Sequence, residues 1–138
     1  MLEATTGRCF ACGADNPIGL RLKFRFEGDE YVTDYTPREE HQGYDDMVHG
    51  GLVATVLDEV MARCLWEREL PFATAELTVR YKRPFTVGTR GTARARIEKQ
   101  AARLIEMSAE LSGPDGTVYA TAKGVFLPVR AQPTGAPT

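Results

Sequence analysis

The spacing of apolar residues predicts most of the secondary structure. "LRLKFRF" (20–26) alternates apolar and basic residues, as expected for a half-buried strand, and "YVTDYT" (31–36) is a plausible return strand after the turn "EGDE". A loop is predicted for residues 37–47. The apolar run that follows predicts a helix over roughly residues 50–68, which Pro71 stops.

The second half of the chain has the pattern of consecutive strands. "ATAELTVRYKRP" (73–84) alternates, with Ala75, Leu77, Val79 and Tyr81 on one face. The further predicted strands are "TRGTARARIEKQ" (89–100), "RLIEMSAELS" (103–112) and, after the turn "GPDG", "TVYATAKGVFL" (117–127). Two strands, one long helix and a run of antiparallel strands indicate an α+β fold with the helix on one face of the sheet.

Composition adds the expected class of protein. The 138 residues, 43% hydrophobic and 26% charged, predict a single globular domain over residues 1–128, irregular over 1–18, followed by a flexible tail over 129–138. A net charge of −2 implies no general attraction to nucleic acid or to a membrane surface. No membrane span or signal sequence is visible, and three cysteines fit a reducing compartment, so we expect a cytoplasmic protein.

Asp58 stands out within the predicted helix. Neighbours at helical spacing offer it no cation; they are Gly51, Ala54, Thr55, Met61, Ala62 and Leu65. A buried carboxylate needs donors, so two interpretations stay open. In the first, hydrogen-bond donors elsewhere in the fold or at a subunit interface satisfy Asp58. In the second, Asp58 lines a cleft and acts as base or nucleophile on a carbonyl. Glu59, by contrast, has Arg63 four residues further on as a predicted surface partner.

The sequence His49-Gly50-Gly51 opens the predicted helix. Free backbone N–H groups and the positive end of the helix dipole favour negative charge there, and glycine lets a ligand approach closely. Such an end could stabilise the oxyanion that forms when a thioester carbonyl is attacked. Alternatively, the glycines only allow tight packing, and His49 is a loop residue.

With these features together, "VHGGLVATVLDE" (48–59) resembles the hotdog-fold acyl-CoA thioesterases, in particular the phenylacetate-pathway and mammalian acyl-CoA thioesterases of this fold. "CFACGADNPIGLRLKF" and "AELTVRYKRPFTVGT" are also similar to members of the family, so the resemblance covers about residues 9–128. It implies an antiparallel sheet wrapped around one long helix, and hydrolysis of an acyl-CoA thioester to a free acid and CoA.

The resemblance also implies roles for individual residues. Asp58 falls at the catalytic carboxylate, acting as general base or nucleophile, and the Gly50 N–H at the group that polarises the carbonyl. His49 corresponds to a positioning histidine. Thr74 corresponds to a hydroxyl that assists water in some members, but strand alternation predicts that it points away from the helix together with Glu76.

One position departs from the family. Many members carry Asn or Gln six residues before the motif histidine, where this chain has Gly43, and Gln42 is the neighbouring amide that could serve instead. In the family the site forms between two subunits, which implies a homodimer or a dimer of dimers. The competing interpretation is a non-catalytic hotdog protein that binds acyl-CoA or acts as an assembly module.

Two further clusters have open interpretations. Arg80, Lys82 and Arg83, together with Gly51, are predicted substrate-binding residues that could contact the phosphates of CoA, although exposed cations are common without a function.

"CFAC" (9–12) invites a zinc site, but a second ligand pair is missing, since only Cys64, His41 and His49 remain as candidates. We therefore expect no metal and no redox cofactor, coenzyme A being part of the substrate.

Overall fold

One long helix lies against a six-stranded antiparallel sheet. A computed structural model describes residues 7–129. Its elements are β1 (Phe24–Glu27), β2 (Glu30–Tyr35), a 3-10 turn (Glu39–His41), α1 (Gly50–Glu67), β3 (Phe72–Tyr81), β4 (Gly91–Ala101), β5 (Leu104–Ser112) and β6 (Val118–Pro128). The strand order is β1-β2-β4-β5-β6-β3. The predicted α+β class and the predicted order of elements are confirmed.

The core lies between α1 and the central strands. The helix buries Val53, Val56, Leu57, Val60, Met61, Cys64 and Leu65. Strands β4, β5 and β6 face it with alternate residues, several of them alanines: Ala93, Ala95, Ile105, Met107, Ala109, Leu111, Ala120, Ala122 and Phe126. These small side chains let the helix approach the sheet closely. Within residues 7–129, no helix is long and apolar enough to cross a membrane.

The first predicted strand is shorter than its alternating sequence suggests. Residues 20–23 are not part of β1, and Arg21 has a left-handed backbone with φ 55°. The N–H groups of Leu20 and Leu22 donate to the carbonyl oxygens of Phe10 and Ala11. The alternation is therefore real, with Leu22 buried, but this segment pairs with the N-terminal loop instead of the sheet.

Strand β3 carries a bulge that changes which side chains face the helix. Its register against β6 shifts between Thr74 and Glu76, so Ala75 is an extra residue. Beyond the bulge Leu77 and Val79 pack against the core. Before it the alternation is reversed, and the prediction that Thr74 points away from the helix is wrong.

Strand β3 is also an edge of the sheet. Within the part of the chain that the structure describes, it pairs with β6 on one side only, and most of its ten residues are exposed. The other edge, β1, has only four residues. A long unpaired edge presents a row of free N–H and C=O groups that a second strand can satisfy.

Candidate active site

The start of α1 is organised by His49. His49 is the N-cap residue, and its Nδ1 accepts the N–H of Gly51 at 2.9 Å. In the neutral ring the proton is therefore on Nε2. The Gly51 N–H is thus occupied, contrary to the expectation that both glycine N–H groups are free. Among residues 7–129, no acceptor takes the Gly50 N–H. One backbone donor remains at the helix end, and it belongs to Gly50.

Tyr81 holds this helix end against the edge strand. Its hydroxyl donates to the Gly50 carbonyl oxygen at 2.6 Å, and its ring lies 3.4 Å from where a Cβ at Gly50 would be, an ordinary contact distance. Sequence reasoning missed this contact. The sequence did contain a signal for it, since Tyr81 is the last residue on the strand face that also carries Leu77 and Val79.

A cavity of about 570 Å³ adjoins the same helix end. Its walls are mainly apolar, and it is lined by Gly43, Tyr44, Met47, Val48, His49, Gly50, Val53, residues 81–85 and Tyr119. Of the three predicted phosphate contacts, Lys82 and Arg83 line this cavity, whereas Arg80 does not. Neither Lys82 nor Arg83 forms a salt bridge with another described residue. The cavity therefore combines apolar walls with two cations.

Asp58 lies at a different place on the helix. Its Oδ1 accepts the hydroxyl of Thr74 at 2.8 Å, and it is half-buried beside the exposed face of β3. Asp58 does not line the cavity. Eight residues separate it from Gly50, which corresponds to about 12 Å along the helix. Within one chain, the carboxylate and the free N–H are too far apart to act on one carbonyl.

The loop before the helix explains the unusual Gly43. A Cβ at this position would lie 3.3 Å from the Cα of His49, so the backbone of His49 leaves little room for a side chain. The Gln42 amide is occupied within the loop: its Nε2 donates to Glu39 O at 3.0 Å, and its Oε1 accepts the Asp46 N–H at 2.6 Å. Gln42 is not part of the cavity wall.

His41 anchors the other end of this loop. It is 7% exposed, and its Nδ1 accepts the Arg38 N–H at 3.0 Å and lies 2.9 Å from the Tyr35 hydroxyl. Its carbonyl oxygen accepts the His49 N–H. Burial and, secondarily, the charge of Arg38 lower the pKa of His41. The ring is therefore held neutral, and its buried Nε2 has no hydrogen-bond partner among residues 7–129.

The two N-terminal cysteines meet a carboxylate that sequence reasoning assigned elsewhere. Glu59 Oε2 lies 3.8 Å from Cys9 Sγ, while Arg63 pairs with Glu67 at 3.4 Å. The predicted Glu59–Arg63 surface pair is thus replaced by a Cys9–Cys12–Glu59 cluster. Burial first, then hydrogen bonds to Cys9 and Glu59, raise the pKa of the Cys12 thiol to about 12. Cys64 is in the helix core, away from this cluster.

Comparison with known proteins identifies the family. The family model of the thioesterase superfamily matches residues 46–120, more than half of the chain. The chain belongs to the thioesterase superfamily. The matched range contains the His49–Gly51 helix start, Asp58 and Thr74.

Individual relatives agree with this membership. Mouse acyl-coenzyme A thioesterase THEM5 is 26% identical, over 80% of this chain and 50% of the mouse protein, so the chain spans about half of that relative's length. The Escherichia coli PaaI protein of the phenylacetic acid degradation operon is 18% identical, with a TM-score of 0.76 over 82% of this chain and 83% of that one.

A thioesterase protein from Streptococcus pneumoniae, solved with coenzyme A, is 14% identical, with a TM-score of 0.72 over 77% of this chain and 86% of that one. Structures of its Asp-to-Ala and Thr-to-Ala variants, sixteen positions apart, are also known. Together these structures confirm the predicted hotdog fold.

The neutral, buried His41 gives this superfamily member a testable pH dependence. The unfolded ring has a pKa of about 6.5, and the folded ring a lower one, so acid adds protons preferentially to the unfolded chain. We expect the free energy of unfolding to be unaffected by His41 above pH 6.5. Below it, the free energy should fall by up to about 1.4 kcal/mol per pH unit until the folded ring protonates.

Urea denaturation between pH 7.5 and 5.5 measures this effect. His41→Asn keeps an acceptor near the Arg38 N–H but does not titrate, and its slope against pH should be shallower than that of the parent. Equal slopes for the two proteins would show that His41 is not held neutral in the fold.

Proposed function

We propose that this protein hydrolyses an acyl-CoA thioester to a free acid and CoA, at a site that two copies of the chain form together. Membership in the thioesterase superfamily and the likeness to a mouse acyl-CoA thioesterase support the reaction class. The observation that carries the proposal is Asp58, a half-buried carboxylate that opens to the surface beside the outer edge of β3 and is held there by Thr74.

The geometry of β3 supports a two-chain site. Thr74, near the start of this strand, contacts Asp58, and Tyr81, at its end, contacts Gly50. If β3 pairs in antiparallel fashion with β3 of a second copy, the two strand directions are opposed. The Thr74 end of one chain then lies beside the Tyr81 end of the other. Asp58 thereby approaches the partner's helix start, which removes the separation of about 12 Å within one chain. Assembly into a dimer of dimers stays a prediction.

The proposed reaction follows from these positions. Asp58 either removes a proton from an attacking water or attacks the thioester carbonyl itself, forming a new C–O bond. The carbonyl oxygen becomes negatively charged and is stabilised by the Gly50 N–H and the positive helix end. Collapse of this intermediate breaks the C–S bond and releases CoA as the thiolate. When Asp58 is the nucleophile, water then hydrolyses the resulting anhydride.

Thr74 and His49 have supporting roles in this proposal. The Thr74 hydroxyl fixes one Asp58 oxygen and leaves the other free to act. The aspartate and threonine replaced in the pneumococcal protein have the same spacing as Asp58 and Thr74, which supports a joint role. His49 occupies the Gly51 N–H, so the oxyanion meets the donor of Gly50 alone. This chemistry needs no metal or redox cofactor.

The cavity at the helix start accounts for binding of CoA. Lys82 and Arg83 provide two cations without described salt-bridge partners, which suits phosphate groups. Arg80 lies outside the cavity of its own chain, and in this proposal its contact with substrate depends on the second copy. The pneumococcal structure with coenzyme A supports this class of ligand for the fold.

The second candidate function is binding of acyl-CoA without hydrolysis. One observation favours it: the position at which many relatives have an amide is Gly43, and the neighbouring Gln42 amide is bonded at both ends within its loop. An amide that is absent from the site cannot orient the substrate carbonyl or a water there.

Replacement of Asp58 separates the two functions. Asp58→Asn retains an oxygen for the Thr74 hydroxyl but removes the base, so we expect kcat to fall about 10²- to 10⁴-fold while CoA binding is unchanged. Thiol release from short-chain, long-chain and aromatic acyl-CoAs measures turnover, and calorimetry measures binding. Glu110→Gln, an exposed change on β5, is the matched control and should retain parental activity. A parent protein that binds acyl-CoA but turns over none of the panel would establish the binder instead.

The role of the cations is tested by removing the phosphates from the substrate. Lys82→Ala and Arg83→Ala should each raise KM for acyl-CoA roughly tenfold, equivalent to about 1.4 kcal/mol. KM for the same acyl group on N-acetylcysteamine, which lacks the phosphates, should not change. Arg103→Ala, in the exposed β4–β5 turn, controls for loss of surface charge. Equal effects on both substrates would contradict a phosphate contact.

A further inference from the structure

The N-terminal loop brings two thiols against a carboxylate of α1. Among residues 7–129, Cys9, Cys12 and Glu59 form a group whose potential ligand atoms all lie within 4.8 Å of one another. Cys9 Sγ and Glu59 Oε2 are 3.8 Å apart. In a tetrahedral zinc site, with Zn–S of about 2.3 Å and Zn–O of about 2.0 Å, neighbouring sulfur and oxygen ligands are about 3.5 Å apart. Only a small movement would bring these atoms to coordination distance.

The loop itself holds the two cysteines in place. Gly13 follows the second cysteine, and its N–H donates to the Cys9 carbonyl oxygen at 2.8 Å. A Cβ at Gly13 would collide with the backbone of Gly7 and Cys9, so only glycine closes this turn. The Cys-x-x-Cys-Gly turn therefore presents both thiols from one compact piece of backbone, a spacing common in structural zinc sites.

Charge around the cluster also suits a dication. Two thiolates and one carboxylate around a dication carry a net charge of −1, and Arg63 Nη1 lies 3.3 Å from Cys12 Sγ. The Arg63 Nε is buried without a partner among the described residues. A guanidinium in this position offsets the excess negative charge and can donate to a coordinated sulfur, as outer-shell partners of metal ligands do.

We propose that Cys9, Cys12 and Glu59 bind one zinc ion, with water in the fourth position, and so fasten the N-terminal loop to α1. Thiolates select zinc over magnesium or calcium, and binding releases the two thiol protons to solvent. The ion has a structural role, because Glu59 lies about 100° around the helix from Asp58. Two ligands are near in sequence, and the third comes from an element fifty residues away.

The test uses the full chain, purified metal-free and kept reduced. After addition of zinc chloride, native mass spectrometry should show one ion per chain, and the melting temperature should rise. Cobalt(II) in place of zinc should give a thiolate-to-metal charge-transfer band in the near ultraviolet. This band reports sulfur ligation in the unmodified protein, so the result does not depend on whether a variant folds.

Variants then assign the ligands. Cys9→Ser and Cys12→Ser should each lower the charge-transfer intensity to half or less, and the double variant should abolish it. Glu59→Gln should weaken zinc binding more than about tenfold, measured in competition with a chromophoric chelator. Glu110→Gln, an exposed carboxylate on β5, is the matched control and should bind zinc as the parent does.

Several results would overturn the proposal. They are failure of the reduced parent to take up zinc or cobalt, uptake that survives in the Cys9→Ser/Cys12→Ser double variant, and equal weakening by Glu59→Gln and Glu110→Gln. Formation of a Cys9–Cys12 disulfide that excludes metal even under reducing conditions, detected by mass, would also contradict it.

Discussion

The hydrogen bond from Thr74 to Asp58 depends on a single extra residue in an edge strand. Without the bulge at Ala75, strand alternation would turn Thr74 to the outer face and leave Asp58 without this donor. With it, a carboxylate on a largely apolar helix is held in a defined position at the surface, where a substrate can reach it. The cost of partial burial is offset locally, and no cation is required to neutralise the group.

The rigidity of the helix sets the second constraint. Gly50 and Asp58 belong to one continuous helix, so their separation is fixed by its rise and no loop movement can bring them together. The same edge strand contacts both, through Thr74 at one end and Tyr81 at the other. A second copy of that strand in antiparallel orientation is the simplest way to juxtapose the two groups, and the unpaired length of β3 provides the hydrogen bonds for it.

The sequence predicted the fold well, because burial on one face leaves a period of two in strands and 3.6 in the helix. It also singled out Asp58 from its lack of partners. The prediction failed where contacts between distant parts of the chain determine the structure. The bulge at Ala75 has no sequence signature. Residues 20–23 have the alternating pattern of a strand, but they pair with the N-terminal loop. Glu59 was assigned to Arg63 because local spacing allowed that pair, whereas the fold brings the carboxylate to Cys9 instead.

Complementation between two inactive variants tests the shared site most directly. Gly50→Pro removes only the N–H at the first helical position, which proline tolerates, and His49 already has the extended backbone, φ −56° and ψ 130°, required before proline. Gly50→Ala controls for the added side chain. Gly50→Pro and Asp58→Asn should each be inactive alone. When they are co-refolded in equal amounts, half of the dimers are mixed and one of their two sites is intact, so about a quarter of parental activity should return. Absence of any recovery, with mixed dimers demonstrated by mass, would contradict a site built from Gly50 of one chain and Asp58 of the other.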